Sequence, residues 1–482
     1  MRRSNRLWPT RRNALKVTRE FSKVTLLDAL LNRRSRRVGL GMSIPAGPFQ
    51  YTSPHKPIAL TEEEEAALAF AACGITGYAL ADLSYGPGEG GSMLAGRLGR
   101  TIASADALNT VAVVVTNDHA TYLLKRTQDF MPADIPQLVK LARQGALVEL
   151  YRRSRIQLSD ARTAPPLDAK HNFSINRWSL YRPGTTYFLP IIETTALTIN
   201  ALLELFDPAM GVFVRDERAW FRPAGLAKFA RSKGGHLQDD PHDLRSATIH
   251  AVETALLESM ATEHGMVLQN LALTTEALGL GGFPNFARHE NSWFQALGFR
   301  MGAMPASRYL GAPRFLSTLA GWLKREPVVD FPLGLERDGS VLLKPFCPPC
   351  FPTMKAAVHA FIETKFGPAG AYRGGAEQSS WKDPKHCAAN IPAPSVAAID
   401  AAVAYGEYVH RRYGRFPAYT APFRTVIGFQ VCRLDLEFYE RFYRPEAISD
   451  AAREATARVM ASKSGKAGLE APRSASVDRN DR

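Results

Sequence analysis

The stretch that decides the fold is EHGMVLQNLALTTEALGLGGF, residues 263–283. Its apolar residues recur at roughly helical spacing, at Met266, Leu268, Leu271, Leu273, Ala277 and Leu278. Three glycines then follow, Gly279, Gly281 and Gly282. Glycine ends a helix readily and lets another group approach the backbone closely. The pattern therefore predicts a buried helix that ends in a tight turn, and by itself it is equally typical of an ordinary helix C-terminus.

Two segments nearer the N-terminus carry clear local patterns. TEEEEAALAFAACGITG (residues 61–77) predicts a helix with Thr61 as N-cap and Glu64 in the capping-box position. The four glutamates at its start are better explained as partners of the helix dipole than as catalytic carboxylates. VAVVV (residues 111–115) predicts a buried strand because it is short, continuous and β-branched.

Length and hydropathy indicate a large globular protein. The chain has 482 residues and is 45% hydrophobic, enough for more than one structural unit. Its longest apolar region, residues 185–206, is interrupted by Pro190, Glu193, Asn200 and Glu204. We therefore expect no membrane span there, but a buried strand and helix.

The positive charge is concentrated at the N-terminus. The formal net charge is +14, and residues 1–37 hold twelve Lys or Arg against only Glu20 and Asp28. The remainder of the chain is near neutral and shows no basic groove with interleaved aromatic residues. A basic arm of this kind contacts phosphate without specificity, so we expect no specific nucleic-acid partner.

The same arm contains TRRNALKV (residues 10–17), which is similar to a twin-arginine export signal. No apolar segment or cleavage site follows it, so the sequence favours a cytoplasmic location. Five cysteines, an odd and sparse set, do not suggest a disulfide framework.

A basic run, RRSRR (residues 33–37), follows a short amphipathic helix predicted for residues 23–32. Alone, it is typical of a solvated basic turn. In this context it resembles the R-x-S-x-R element of the FMN-dependent nitroreductase-like and azoline-oxidase-like family. The resemblance implies that Arg33, Ser35 and Arg37 bind the FMN phosphate. Two guanidinium groups and a hydroxyl suit a dianionic phosphate.

Two further segments extend the resemblance. GRTIASADALNTVAVVV (residues 99–115) resembles the family segment that leads into a central strand, although Ala103 stands where the family has proline. This implies that Ser104 and Asn109 lie near the flavin. The 263–283 stretch resembles the family's long helix, and it implies that the backbone of Gly281 and Gly282 approaches the flavin ring.

The resemblance implies an α+β fold with a central, mostly antiparallel sheet flanked by helices. It places a nitroreductase-like core at residues 23–345, with an insertion at about 117–185, after a basic arm at 1–22. Residues 346–449 would form a C-terminal extension. The family also implies a homodimer with the flavin at the subunit interface. Residues 450–482 are small and charged, and we expect much of this tail to be disordered.

Three other motifs have less specific spacing. GPGEGG (residues 86–91) has no strand before it, which favours a mobile loop over a dinucleotide site. CPPC (residues 347–350), with His386 and Cys387, has the spacing of half a zinc site, but a proline-fixed turn is favoured. DDPHD (residues 239–243) is interpreted as a helix cap in preference to a cation site. We therefore assign no metal ligand.

The resulting hypothesis is an FMN-dependent oxidoreductase of the nitroreductase-like class. Hydride would pass through flavin N5 between a reduced nicotinamide, NAD(P)H, and an unknown small-molecule or peptide acceptor. Hydride transfer itself needs no acid, base or nucleophile, so no catalytic residue is named. The alternative is a nitroreductase-like scaffold without turnover that acts as a binding or partner protein.

Overall fold

The computed structural model describes residues 23–80, 98–104, 107–168, 177–286, 290–312, 314–323 and 326–467. Within these ranges the α-helices are α1 (Leu26–Asn32), α2 (Glu62–Cys73), α3 (Ile135–Arg143), α4 (Leu147–Ser154), α5 (Thr195–Leu205), α6 (Ile249–Ala277), α7 (Glu290–Ala296), α8 (Ala306–Tyr309), α9 (Arg314–Trp322), α10 (Met354–Phe366), α11 (Pro384–Asn390), α12 (Val396–Tyr413), α13 (Leu436–Phe442) and α14 (Asp450–Ala467).

The strands within the same ranges are β1 (Ser43–Ile44), β2 (Tyr51–Thr52), β3 (Ile75–Tyr78), β4 (Leu98–Arg100), β5 (Val111–Thr116), β6 (Thr121–Leu124), β7 (Arg155–Ser159), β8 (Thr186–Glu193), β9 (Phe213–Asp216), β10 (Arg222–Pro223), β11 (Ser246–Thr248), β12 (Gly281–Phe286), β13 (Phe299–Pro305), β14 (Val328–Arg337), β15 (Ser340–Leu343), β16 (Phe423–Arg424) and β17 (Ile427–Cys432).

A seven-stranded antiparallel sheet forms the centre of the molecule. Its order is β12-β17-β8-β5-β6-β7, and β16 also pairs with β8. Helices pack on it, so the α+β class with an antiparallel central sheet is confirmed. The predicted strand at residues 111–115 is β5, and the apolar region at 185–206 forms β8 and α5, also as predicted.

Strand β5 shows how the sequence separates the two faces of the sheet. Val111, Val113 and Val115 pack in a cluster with α2 and α6, while Ala112 and Val114 pack on the other face. Alternation is expected because successive side chains of a strand point to opposite sides. On that other face the rings of Tyr187 and Trp293 stack with their centroids 5.2 Å apart. Both faces are therefore buried, which explains why β5 is continuously apolar.

The two helices on the first face begin and end for local reasons. The hydroxyl of Thr61 accepts a hydrogen bond from the Glu64 N–H, and the Glu64 carboxylate accepts one from the Thr61 N–H, which confirms the predicted capping box of α2. Helix α6 stops after Ala277, and Gly279 adopts a left-handed φ of 67°. The predicted glycine stop is thus also present.

The start of α6 differs from the prediction. Thr248 is its N-cap and accepts a hydrogen bond from the Ala251 N–H, so the prediction that DDPHD caps this helix is wrong. Strand β11 lies between DDPHD and the helix. The carboxylates of Asp240 and Asp243 instead accept backbone N–H groups two residues further along the chain. They stabilise local turns.

The predicted division of the chain stays a prediction, and the structure shows which elements three of its segments form. The expected insertion supplies β6 and β7, and the expected C-terminal extension supplies β16 and β17, all in the central sheet. The predicted disordered tail begins with the helix Asp450–Ala467, in which Ala452 and Ala455 are buried. Small residues pack closely there against the end of α6, which composition alone does not reveal. Residues 1–22 and 468–482, like the 86–91 glycine motif, lie outside the described residues.

A second, mainly helical core lies beside the sheet. Residues of α5, α10 and α12 pack around Phe206, Tyr405 and Phe416, each of which is fully buried. In the portion of the chain that the structure describes, no helix is both long enough and apolar enough to cross a bilayer.

Candidate cofactor pocket

A cavity of about 550 Å³ lies between residues 34–38 and α13. This volume is within the usual range for small-molecule sites. Arginines and a serine form one side, and aromatic rings form much of the rest. The lining residues are Arg34, Ser35, Arg36, Arg37, Val38, Ile44, Phe49, Trp178, Phe438, Tyr439, Tyr443 and Ala447. The cavity therefore combines positive charge with flat apolar surfaces.

The basic side is built by an extended segment that follows α1. Residues alternate in exposure: Ser35 and Arg37 are exposed, whereas Arg36 lies between them and is 4% exposed. The Arg36 guanidinium donates to the backbone oxygens of Ala447 at 2.7 Å and Asn32 at 3.3 Å, and it forms a salt bridge with Glu276. Arg36 therefore anchors the segment, and its neighbours carry the exposed polar groups.

The exposed arginines are oriented by their own contacts. Arg34 Nη1 donates to the carbonyl oxygens of Leu31 at 3.2 Å and Arg33 at 2.9 Å. The Arg37 guanidinium lies 5.0 Å from the centroid of the Phe283 ring. A guanidinium positioned over a ring keeps its N–H groups directed outward along its edge. Both arginines thus place positive charge at this side of the cavity.

The aromatic side is formed mainly by α13 and the residues that follow it. The rings of Phe49 and Tyr443 are stacked, with centroids 5.7 Å apart and planes 7° apart, and both are partly exposed. The Tyr439 hydroxyl accepts the Val38 N–H at 3.0 Å, which ties α13 to the basic segment. Burial raises the pKa of Tyr439, so its hydroxyl stays neutral. This side offers flat surfaces for a planar ring.

The structure distributes the predicted site residues over several places. Ser35 and Arg37 line the cavity, while Arg33 is half-buried and does not line it. Gly281 and Gly282 lie in β12, paired in register with Cys432 and Val431. Their lack of a side chain is required by protein contacts. A Cβ on Gly281 would lie 2.5 Å from Leu434, and one on Gly282 would lie 2.7 Å from Phe429.

Ser104 and Asn109 lie at a different part of α6. The Ser104 hydroxyl donates to the Glu263 carboxylate at 2.9 Å and accepts the Asn109 N–H at 2.8 Å. Asn109 adopts a left-handed φ of 51°, a conformation that asparagine tolerates. Glu263 is thirteen residues from Glu276, or about 20 Å along the helix. The structure therefore does not bring Ser104 and Asn109 to the arginines.

Glu263 is a buried polar centre that the sequence did not indicate. Its carboxylate accepts hydrogen bonds from Ser104, from the Thr110 N–H and hydroxyl, and from the Val111 N–H at 3.0 Å. Burial nevertheless raises the pKa of this carboxyl. The contacts join the centre of α6 to the start of β5. A glutamate on the apolar face of the predicted helix was the only available signal.

The cysteine motif does not bring together a metal site. In the described ranges, no group of three or more His, Cys, Asp or Glu side chains is arranged to hold a metal ion. Cys347 is buried, and burial raises the pKa of its thiol. The Cys350 thiol donates to the Leu333 carbonyl oxygen at 3.6 Å.

Comparisons with known proteins leave the family open. The sequence matches no protein-family model and no curated protein. Its structure is similar to that of a candidate nitroreductase from Ralstonia eutropha JMP134, with 12% sequence identity and a TM-score of 0.25. The match covers 57% of this chain and 76% of the other. At this TM-score the likeness assigns neither a fold nor a family.

Proposed function

We propose that the chain is an FMN-dependent oxidoreductase of the nitroreductase-like class, and that FMN binds in the cavity between residues 34–38 and α13. The observation that supports it is the combination of Arg34, Ser35 and Arg37 with the stacked rings of Phe49 and Tyr443 around one cavity. An anionic phosphate attached to a planar ring system matches both sides. Bound FMN would supply hydride chemistry at N5 between NAD(P)H and an acceptor.

In this arrangement each side of the cavity has a separate role. Arg37 and Ser35 hold the phosphate by charge-assisted hydrogen bonds, and Arg34 adds positive charge. Arg33 is placed outside the lining and contributes at longer range. The aromatic residues exclude water from the ring and fix its plane. We do not assign Arg36 to the phosphate, because it is buried and is bonded to Ala447, Asn32 and Glu276.

The first test is the absorbance spectrum of the purified chain, before and after incubation with FMN. Flavin bands that remain after gel filtration are expected. Arg37→Ala should weaken FMN binding by about tenfold or more, since it removes a charge-assisted hydrogen bond. Riboflavin, which lacks the phosphate, should bind wild type and variant equally. Arg143→Ala, on the exposed surface of α3, is the matched control.

Three results would each contradict part of this proposal. Absence of flavin bands after incubation with excess FMN would show that the chain does not bind this cofactor. If the Arg37→Ala variant binds FMN as tightly as the Arg143→Ala control, Arg37 does not bind the phosphate. If FMN binds but NAD(P)H is not oxidised with any quinone or nitroaromatic acceptor, the chain is a flavin-binding protein without this turnover.

The proposal includes a homodimer. Helix α1 directly precedes the basic segment and exposes Leu26, Leu27, Leu30 and Leu31, each by 49–67%. Four exposed leucines on a seven-residue helix form an apolar patch, and such patches mark interaction surfaces. We therefore infer that a second copy covers α1 beside the cavity. Light scattering should give twice the chain mass of 53.0 kDa.

The dimer proposal has its own control. Leu27→Asp combined with Leu31→Asp should produce a monomer, whereas Leu244→Asp, at a fully exposed leucine outside α1, should not. A wild-type chain that remains monomeric at micromolar concentration and above would contradict this part of the proposal and leave the flavin test unaffected.

A further inference from the structure

Two exposed aromatic residues stand in a strained turn between β9 and β10. Trp220 is 88% exposed and Phe221 is 58% exposed. Their backbone φ angles are 57° and 56°, in the left-handed region that bulky side chains rarely adopt. Residues persist in this conformation only where surrounding contacts hold them there. The fold therefore keeps two large apolar side chains in solvent at an energetic cost, which points to a role for them outside the core.

A second exposed apolar face lies on α9. Phe315, Leu319, Trp322 and Leu323 are exposed by 50–80%, and Leu310, just before the helix, is 59% exposed. The Leu323 N–H donates to the Leu319 carbonyl oxygen at 3.0 Å, so helical geometry continues to the last of these residues. Their spacing places the four along one side of the helix. This side of α9 is therefore an apolar stripe directed at solvent.

The strained turn and the segment that leads into α9 are in direct contact. Arg412 Nη2 donates to the carbonyl oxygens of Arg218 at 3.0 Å and Gly311 at 3.3 Å. A Cβ on Gly311 would lie 3.3 Å from Arg218 Cδ. Trp220 is two residues from Arg218, and Leu310 is adjacent to Gly311. The two exposed apolar elements therefore belong to one region of the surface.

This region, the aromatic patch, consists of residues 218–222, 306–312 and 314–323. Its sequence contains four arginines and no Asp or Glu. Among them, Arg222 and Arg308 have exposed side chains. The patch therefore combines exposed apolar groups with positive charge.

The carboxylates beside the aromatic patch are already engaged or buried. Asp216 is fully buried, accepts hydrogen bonds from two tyrosine hydroxyls and forms a salt bridge with Arg412. Both carboxylate oxygens of Glu217 are buried. Glu326, just beyond α9, accepts the Ser307 N–H at 2.5 Å. These carboxylates leave the exposed arginines of the patch as its charge toward solvent.

This charge and shape favour an anionic lipid surface as the occupant. A second copy docked symmetrically would bring the same arginines face to face, which is unfavourable. A folded protein partner needs a closely packed, complementary surface. By contrast, Trp220 and Trp322 project from the surface, being 88% and 80% exposed, and tryptophan is enriched where lipid headgroups meet the acyl chains.

We propose that the aromatic patch binds the surface of a membrane that contains anionic lipids. The apolar side of α9 and Trp220 insert at the boundary between headgroups and acyl chains. Arg222 and Arg308 bind the anionic headgroups by charge-assisted hydrogen bonds. The chain thus lies on the membrane without spanning it.

The first test is sedimentation of the full-length chain with vesicles of equal parts phosphatidylserine and phosphatidylcholine. Binding is expected, and it should weaken as salt rises and with phosphatidylcholine alone. Phe315→Gln combined with Trp322→Gln should weaken binding about tenfold or more, because two apolar side chains no longer insert. Met131→Gln combined with Leu244→Gln removes two exposed apolar side chains elsewhere and should leave binding unchanged.

The strained turn is tested by a separate variant. Trp220→Asn combined with Phe221→Asn removes both rings, and asparagine tolerates the left-handed conformation. This variant should also weaken vesicle binding about tenfold or more. Its urea unfolding midpoint should match that of wild type, because neither ring packs in the core. It keeps the test valid if the α9 variant fails to fold.

The role of the arginines is tested by the salt dependence. Arg222→Gln combined with Arg308→Gln should weaken vesicle binding several-fold and reduce its dependence on salt. Lys140→Gln combined with Arg143→Gln removes the same two charges from the exposed side of α3 and should change neither quantity.

The basic N-terminal arm is also attracted to anionic vesicles, so insertion is measured separately. Vesicles with brominated acyl chains quench a tryptophan that enters the lipid. Trp220→Phe and Trp322→Phe should each reduce the quenched amplitude, whereas Trp8→Phe, in the arm, should not. If only Trp8→Phe reduces it, the arm inserts and the proposal is overturned.

Three other outcomes would overturn the proposal. In the first, wild type does not bind the anionic vesicles. In the second, both patch variants, at α9 and at the turn, bind them as tightly as the Met131 and Leu244 control. In the third, the patch variants convert a wild-type dimer into a monomer in light scattering, which would make the patch a contact between copies. Vesicle binding is measured without FMN, so its failure leaves the flavin proposal unaffected.

Discussion

Arg36 and Glu276 form a buried ion pair beside the proposed flavin cavity. Each side chain is 4% exposed, and the two residues are 240 positions apart in the sequence. Arg36 lines that cavity, whereas Glu276 lies at the C-terminal end of α6. The pair therefore fixes the segment that follows α1 to the end of α6, and the proposed flavin site depends on it.

Removing one member of this pair should destabilise the protein strongly. Arg36→Ala or Glu276→Ala leaves a buried charge without its partner, which costs about 3–5 kcal/mol. The double variant should cost less than the sum of the singles. Urea unfolding measures this coupling, and the exposed Arg153–Glu149 pair is the control, with coupling below about 1 kcal/mol. Additive effects at Arg36 and Glu276 would show that the pair is not coupled.

Two glycines should respond oppositely to alanine. A Cβ on Gly281 would lie 2.5 Å from Leu434 Cδ2 and 3.1 Å from the Arg36 carbonyl oxygen, so Gly281→Ala should cost about 1–3 kcal/mol. Gly265 lies on the exposed side of α6, with no atom within 4 Å of the added Cβ. Gly265→Ala should stabilise the protein by about 0.5–1 kcal/mol. Denaturant unfolding tests both. Equal effects would contradict the close packing of β12.

His264 should make stability fall in mild acid. Its Nε2–H donates to the Ile427 carbonyl oxygen at 2.7 Å, and its buried Nδ1 has no partner among the described residues. Burial lowers its pKa below the usual 6.5. Below that pH the unfolded chain takes up a proton that the folded chain does not, so stability falls as pH falls, by at most about 1.4 kcal/mol per pH unit. Above it, neither state is protonated and the contribution is constant.

The control for this prediction is a second histidine. His264→Gln should remove the acid-side slope in a series of urea unfolding curves, whereas His359→Gln, at an exposed position on α10, should keep it. An unchanged slope in His264→Gln would show that another group carries the pH dependence.

Trp178 should report ligand binding in the aromatic cavity. It lines that cavity, so a flavin ring bound there should quench its fluorescence. Trp178→Phe should reduce the amplitude of the FMN-dependent quenching, while Trp322→Phe, at an 80% exposed residue on α9, should not. If both variants show the wild-type amplitude, the flavin ring does not lie beside Trp178.

The sequence correctly predicted the helix ends and the strand that depend on a few neighbouring residues. The capping box of Thr61 and Glu64 and the strand at residues 111–115 are both present, because a few neighbouring residues fix each of them. The glycine stop at the end of α6 is present for the same reason. The sequence therefore predicted the central strand and the helices that pack on it.

Contacts over long sequence distances could not be predicted in this way. Glu263 binds residues more than 150 positions away, and nothing in its spacing identifies them. The resemblance implied that the backbone of the β12 glycines approaches a flavin. Their lack of a side chain is instead explained by close contacts with Leu434 and Phe429. Ser35 and Arg37 were predicted for a phosphate site and do lie on a cavity. Its aromatic side comes mainly from residues 438–443, which carried no recognised motif.

Strand β17 lies between β12 and β8 in the central sheet, although it is the last of the three along the chain. During synthesis the N-terminal residues leave the ribosome first, so β8 and β12 are both complete before their shared neighbour exists. Unpaired strand edges can recruit strands from other molecules. The nascent chain therefore carries two strand edges that stay without their shared partner until Cys432 has emerged.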